Sequence, residues 1–131
     1  MDRRTARTIS ERGLVPCMND TRWRELCEAI DGLPFPPAYQ VKTLHEEQPF
    51  PPTIEPAPGY HGDWGKTPEA SFGKHIEWIR VAPAYRRSVG RLLPHVIEDC
   101  TDELRALLHR LRITFVEENG FFVIPGYLGN R

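Results

Sequence analysis

The run His75-Ile76-Glu77-Trp78-Ile79-Arg80-Val81 constrains this chain more than any other stretch. Side chains of a strand alternate between faces, so Ile76 and Trp78 are expected on one face. Ile79 and Val81 then place apolar groups on the other. Only Glu77 and Arg80 interrupt the run. A β-branched and aromatic segment that is apolar on both sides suits the interior of a sheet better than its edge. Pro83 ends it, because proline cannot donate to the ladder. Such a strand needs neighbours on both sides and a cover on at least one face.

Two amphipathic segments can supply the cover. Over residues 21–31, Trp23, Leu26, Cys27 and Ile30 recur at helical spacing, while Arg22, Arg24, Glu25 and Glu28 face water. Asp20 or Thr21 is the expected cap and Gly32 the expected left-handed exit. Pro34, Pro36 and Pro37 forbid continuation. Over residues 101–111, Leu104, Leu107, Leu108 and Leu111 form a second stripe. Asp102 and Glu103 at its start and His109 and Arg110 at its end complement the helix dipole. Strands are expected at 39–44, 91–97, 113–117 and 121–124, with Asn119-Gly120 as the hairpin turn joining the last two. The predicted fold is α+β: an antiparallel sheet of about four strands with two helices packed on one face.

Residues 1–17, where Arg3, Arg4, Arg7 and Arg12 dominate and apolar residues are sparse, read as a flexible extension. Met18-Asn19-Asp20-Thr21 reads like a chain start followed by a helix cap, so residues 18–131 are expected to form a single domain. Residues 48–74 read as a long loop stiffened by prolines and turned by glycines. Phe50, Tyr60, Trp64 and Phe72 argue against disorder there and for a loop pinned to the body by its aromatics.

Composition removes several classes of function. A formal net charge of -1 gives no field that would draw in nucleic acid or an anionic membrane. No apolar run reaches transmembrane length. The three cysteines, Cys17, Cys27 and Cys100, are odd in number and widely spaced, which fits a reducing cytoplasm rather than a disulfide framework or a zinc knuckle.

Chemistry-bearing patterns are sparse. His61-Gly62-Asp63 and His75-Ile76-Glu77 each set a histidine two residues from a carboxylate, which could ligate a divalent metal or act as base and acid. Such spacings also arise by chance. His45-Glu46-Glu47 lacks the second histidine of a zinc-protease helix. Ser71 lacks the first glycine of a nucleophile elbow. No phosphate-cradling glycine loop is present, and no cofactor or catalytic residue is assigned. Arg80, Arg86, Arg87 and Arg91 form a basic stretch, followed by the acidic Glu98, Asp99, Asp102 and Glu103. This polarity suits a binding surface, with arginines gripping carboxylate or phosphate groups. Neighbouring solvated patches that neutralise each other give the same pattern.

Asn19-Asp20-Thr21-Arg22-Trp23-Arg24-Glu25-Leu26, Pro36-Pro37-Ala38-Tyr39-Gln40, Ile76-Glu77-Trp78-Ile79 and the closing Glu117-Glu118-Asn119-Gly120-Phe121 with Gly126-Tyr127 resemble a family of small bacterial proteins of unknown function. The resemblance covers the chain from Met18 onward and implies no catalytic residues. The small single-domain character is similar to that of toxin-immunity proteins. The favoured function is a non-enzymatic, cytoplasmic protein-binding module, with an immunity-type protein as its narrower form. Tyr60 and Trp64 would anchor the partner, with Arg86 and Arg87 at the rim. The alternative is a small metal-dependent hydrolase using His61, Asp63, His75 and Glu77. A third reading is a structural protein that self-associates as a homodimer.

Overall fold

The computed structural model describes residues 3–65 and 75–129. In chain order the elements are α1 (Arg3–Arg12), β1 (Leu14–Pro16), α2 (Asp20–Ile30), β2 (Tyr39–Thr43), β3 (Ile76–Val81), β4 (Ala84–Arg87), β5 (Val96–Asp99), α3 (Thr101–Arg110), β6 (Val116–Glu118), β7 (Phe121–Pro125) and β8 (Tyr127–Gly129). The fold is α+β. Its centre is a four-stranded antiparallel sheet in the order β2-β3-β7-β6, joined by two-stranded ribbons β1-β8 and β4-β5.

The tryptophan-bearing run is β3, and it pairs on both sides, with β2 and with β7. Ile79 faces Ile124 and Val81 faces Phe122 across the ladder, and all four are buried. The stripes of α2 and α3 close over this face. Trp23, Leu26 and Ile30 from α2 and Leu104, Leu107 and Leu108 from α3 form one core cluster with it. Burying each of these side chains contributes about 1.5–3 kcal/mol.

Strict alternation along β3 fails at one point. Lys42 pairs with Trp78 but Thr43 pairs with Ile76, so Glu77 is an extra residue in the ladder. This bulge flips the faces. Ile76 joins Ile79 and Val81 in the core instead of sharing a face with Trp78, which is half-buried on the opposite side under the Arg80 guanidinium, 5.0 Å from the ring centroid.

The helix ends are set by local chemistry that differs from the sequence expectation. Asn19, not Asp20 or Thr21, caps α2, its side chain accepting from the Arg22 amide at 2.8 Å. No left-handed glycine follows. The Gly32 and Leu33 amides donate three residues back, to Ala29 and Ile30, and tighten the exit. The hairpin is as expected: Asn119 and Gly120 take positive φ (54° and 82°) between β6 and β7.

The largest departure is at the N-terminus. Where an unstructured extension was expected, residues 3–12 are helical and residues 14–16 pair with β8. Arginine-rich α1 has no wide apolar stripe, and polar contacts tie it down. The buried Thr5 hydroxyl lies 2.7 Å from His75 Nδ1 and 3.0 Å from His45 Nε2. Arg12 donates to Glu77 at 2.9 Å.

Candidate functional site

Strand β2 lies at one edge of the four-stranded sheet. Among the described residues its edge is met by Phe50, which exchanges two backbone hydrogen bonds of 2.8 Å with Val41. From the other face of β2, buried Gln40 donates to the carbonyls of Pro51 and Pro52 and accepts from Arg80. The proline segment is thereby clamped to the sheet, and it leaves a hollow beside the strand.

That hollow is a cavity of about 470 Å³ with mainly apolar walls. Tyr39, Val41 and Thr43 form one side, because alternation aims all three the same way. Phe50 and Pro51 stand on one flank, and Tyr60, His61, Gly62 and Asp63 on the other. Phe50 is 79% exposed and Tyr60 50%. Two exposed aromatic rings at the mouth of an apolar hollow form a surface suited to a partner's side chain.

The second flank is held from below. Trp64 is in the core, donates from its indole to the Pro37 carbonyl at 2.8 Å, and packs on Tyr39 with ring centroids 4.6 Å apart. The Tyr39 hydroxyl donates to the Asp63 carbonyl. Gly62 passes so close that a Cβ there would sit 2.2 Å from the Pro37 carbonyl oxygen, so no other residue fits without a shift. His61 stacks on Phe35 and packs at a tilt against Tyr85, joining the cavity to strand β4.

Of the four residues expected to bind a partner, the structure sets Tyr60 at the mouth and takes Trp64 away from it. With 5% exposure and its polar atom satisfied internally, the Trp64 indole is a core group that positions the flank and offers no surface to a partner. Arg86 lies alongside Gly59, donates its amide to the Pro58 carbonyl and pairs loosely with Glu55 at 3.7 Å. Arg87 instead turns to Glu98 on the neighbouring strand, at 2.9 Å. The loop is not pinned by all its aromatics: Trp64 goes inward while Phe50 and Tyr60 stay out. Phe72, expected as a further pin, and Ser71 lie outside the described residues.

The four residues of the metal alternative are not brought together as a ligand set. His61 and Asp63 line the cavity, whereas His75 meets Thr5. Glu77 holds Lys42 at 3.0 Å and Arg12 at 2.9 Å. Partial burial pushes the Glu77 carboxyl up, but hydrogen bonds from Arg12 and Lys42, helped by their charges, outweigh it and leave its pKa below the ordinary range. Among the described residues no group of three or more His, Cys, Asp or Glu side chains is placed to hold a metal ion. Burial, reinforced by Glu103 and Asp99, pushes the Cys100 thiol up to about 12, so it is no nucleophile at neutral pH.

Sequence reasoning missed Phe50 as a cavity wall and β2 as its floor. The alternation of Tyr39, Val41 and Thr43 was visible, but nothing local says that β2 is an edge strand with part of that face uncovered.

An α+β protein with an apolar hollow at its sheet edge is the class these observations define. A model of the family of unknown function DUF6678 matches residues 5–131, and the chain belongs to that family. The match takes in most of α1 and all of β1 as well as the segment from Met18 onward. No curated protein and no solved structure matches the chain. Among the described residues no helix is long and apolar enough to cross a membrane.

Proposed function

We propose that the protein is a non-enzymatic binding module that receives an apolar or aromatic side chain of a protein partner in the hollow beside β2. The observation that carries this is the pair of exposed rings, Phe50 and Tyr60, flanking the apolar cavity. Each ring can bury much of its surface on association at little conformational cost, as interface anchors do. Arg86, beside Gly59 and only loosely paired, supplies a cation near the rim for a partner carboxylate. The narrower form is an immunity-type protein whose partner is a toxin.

The test is capture of partner from native lysate, with Phe50→Ala and Tyr60→Ala combined in one variant. Capture is expected to fall sharply while the melting temperature stays within a few degrees of the parent. Trp64→Ala is expected to lower stability by about 3 kcal/mol, since it empties a core position. Undiminished capture by the double variant would remove the reading. A toxin among the captured proteins, neutralised in a growth assay, would support the immunity form.

A further inference from the structure

The ribbon β4-β5 leaves one of its two edges unused. On β4 the outer edge is engaged: the Arg86 amide points away from β5 and donates to Pro58 at 3.0 Å. In an antiparallel ladder, opposed residues alternate between exchanging both bonds and turning both groups outward. Arg86 opposes Ile97 and Ala84 opposes Asp99, so Ile97 and Asp99 turn their N–H and C=O groups to the far side of β5. The bond from the Cys100 amide to the Pro83 carbonyl, one pair further along, fits the same alternation. Among the described residues no backbone group meets that far side. Exposed apolar side chains lie on β5 and in the turn before it: Ile97 is 55% exposed, Leu93 59% and Leu92 97%.

We infer that this edge is a self-association surface and that its occupant is β5 of a second copy, antiparallel across a two-fold axis at Ile97. The argument for a second copy is charge. A two-fold interface must be self-complementary. Along this edge the chain runs from Arg91 and His95, through apolar Val96 and Ile97, to Asp99 and then Glu103. Turned on itself about Ile97, that order sets His95 against Asp99 of the second copy. It also carries the turn bearing Arg91 toward Glu103 of the second copy, at the start of α3. Both contacts occur twice. Ile97 exchanges both of its backbone bonds with its own copy, and the two apolar side chains meet at the axis. Sliding the register two residues one way stacks Glu98 on Glu98. Sliding it the other way sets Leu93 opposite Asp99. The Ile97 register matches donors to acceptors, sets Ile97 on Ile97 and places basic groups against acidic ones, with Val96 beside Glu98 of the second copy. The result is one continuous four-stranded sheet, which removes an exposed apolar edge from solvent.

Sedimentation velocity and light scattering of the full chain over a wide dilution range test this, and a dimer that dissociates on dilution is expected. Ile97→Pro removes the central N–H without touching the ladder to β4, and should raise the dimer dissociation constant at least about tenfold. Arg91→Glu should raise it about tenfold, and adding Glu103→Arg should recover most of the loss. Amide exchange at Ile97 and Asp99 should slow as concentration rises. If Ile97→Pro fails to fold, the charge swap decides. A chain that stays monomeric at all concentrations overturns the inference. So does a dimer indifferent to Arg91→Glu and its rescue, as would a monomer that takes extended peptides on this edge instead.

Discussion

The four-stranded sheet and the β4-β5 ribbon use similar residues to opposite ends. Both carry β-branched side chains, yet Ile79 in β3 is 0% exposed while Ile97 in β5 is 55% exposed. The difference lies in what covers them. β3 has a strand on each side and two helices on its inner face. Among the described residues β5 pairs with β4 alone, and its Val96, Ile97 and Asp99 are exposed. A β-prone run is therefore evidence of a strand, and only its surroundings make it core. In this molecule the uncovered runs are where partners can be sought.

The sharpest way to break this comparison is to shorten the same residue type in both places. Ile79→Ala should cost about 4 kcal/mol of unfolding free energy in denaturant melts, because it leaves a cavity between two strands and a helix layer. A loss below about 1 kcal/mol would mean the inner face is loosely packed. Next is Gly126→Ala. A Cβ there would lie 2.1 Å from the Ile76 carbonyl oxygen, which is backbone and cannot swing away. A loss of about 3 kcal/mol is expected, from forced separation of β3 and the β7-β8 corner.

A smaller effect probes the polar tie between α1 and the sheet. The Glu77 pKa is lowered from its ordinary 4.5, so the folded state binds the proton more weakly than the unfolded chain does. Its stabilising contribution is therefore fully present above about pH 4.5 and is lost as pH falls through the lowered folded value. Glu77→Gln should be less stable than the parent at neutral pH, and the gap should close in acid. A gap that is constant with pH would show that the ion pairs with Arg12 and Lys42 contribute nothing. Smallest of all, Ile97→Ala should change stability by less than about 0.5 kcal/mol when measured too dilute for self-association. A core-sized loss would erase the contrast with Ile79.

How much of this was legible in the sequence follows the same division. The interior place of β3, the stripes of α2 and α3 and the Asn119-Gly120 turn are all set by neighbours in sequence, through periodicity or backbone conformation. The bulge at Glu77 was not legible, because it depends on how β2 is registered. Nor was α1, whose attachments join Thr5 to His45 and His75 and Arg12 to Glu77 across long stretches of chain. Trp64 shows the limit most plainly. A tryptophan among glycines and prolines reads as an exposed anchor, yet its indole N–H finds the Pro37 carbonyl and the ring goes inside. Of the candidate site, Tyr60 was legible and the hollow beside it was not, since an edge is a property of the assembled sheet.

The pairing of Leu14 with Gly129 and of Pro16 with Tyr127 joins opposite ends of the described chain. Its consequence belongs to synthesis. On the ribosome β3 emerges well before β7, and until then one whole side of its ladder is an open template. The first strand waits longer still, for residues 127–129. The nascent chain thus passes through a period in which its central strand is half-paired, and ribosome-associated chaperones or rapid completion of translation would guard that interval.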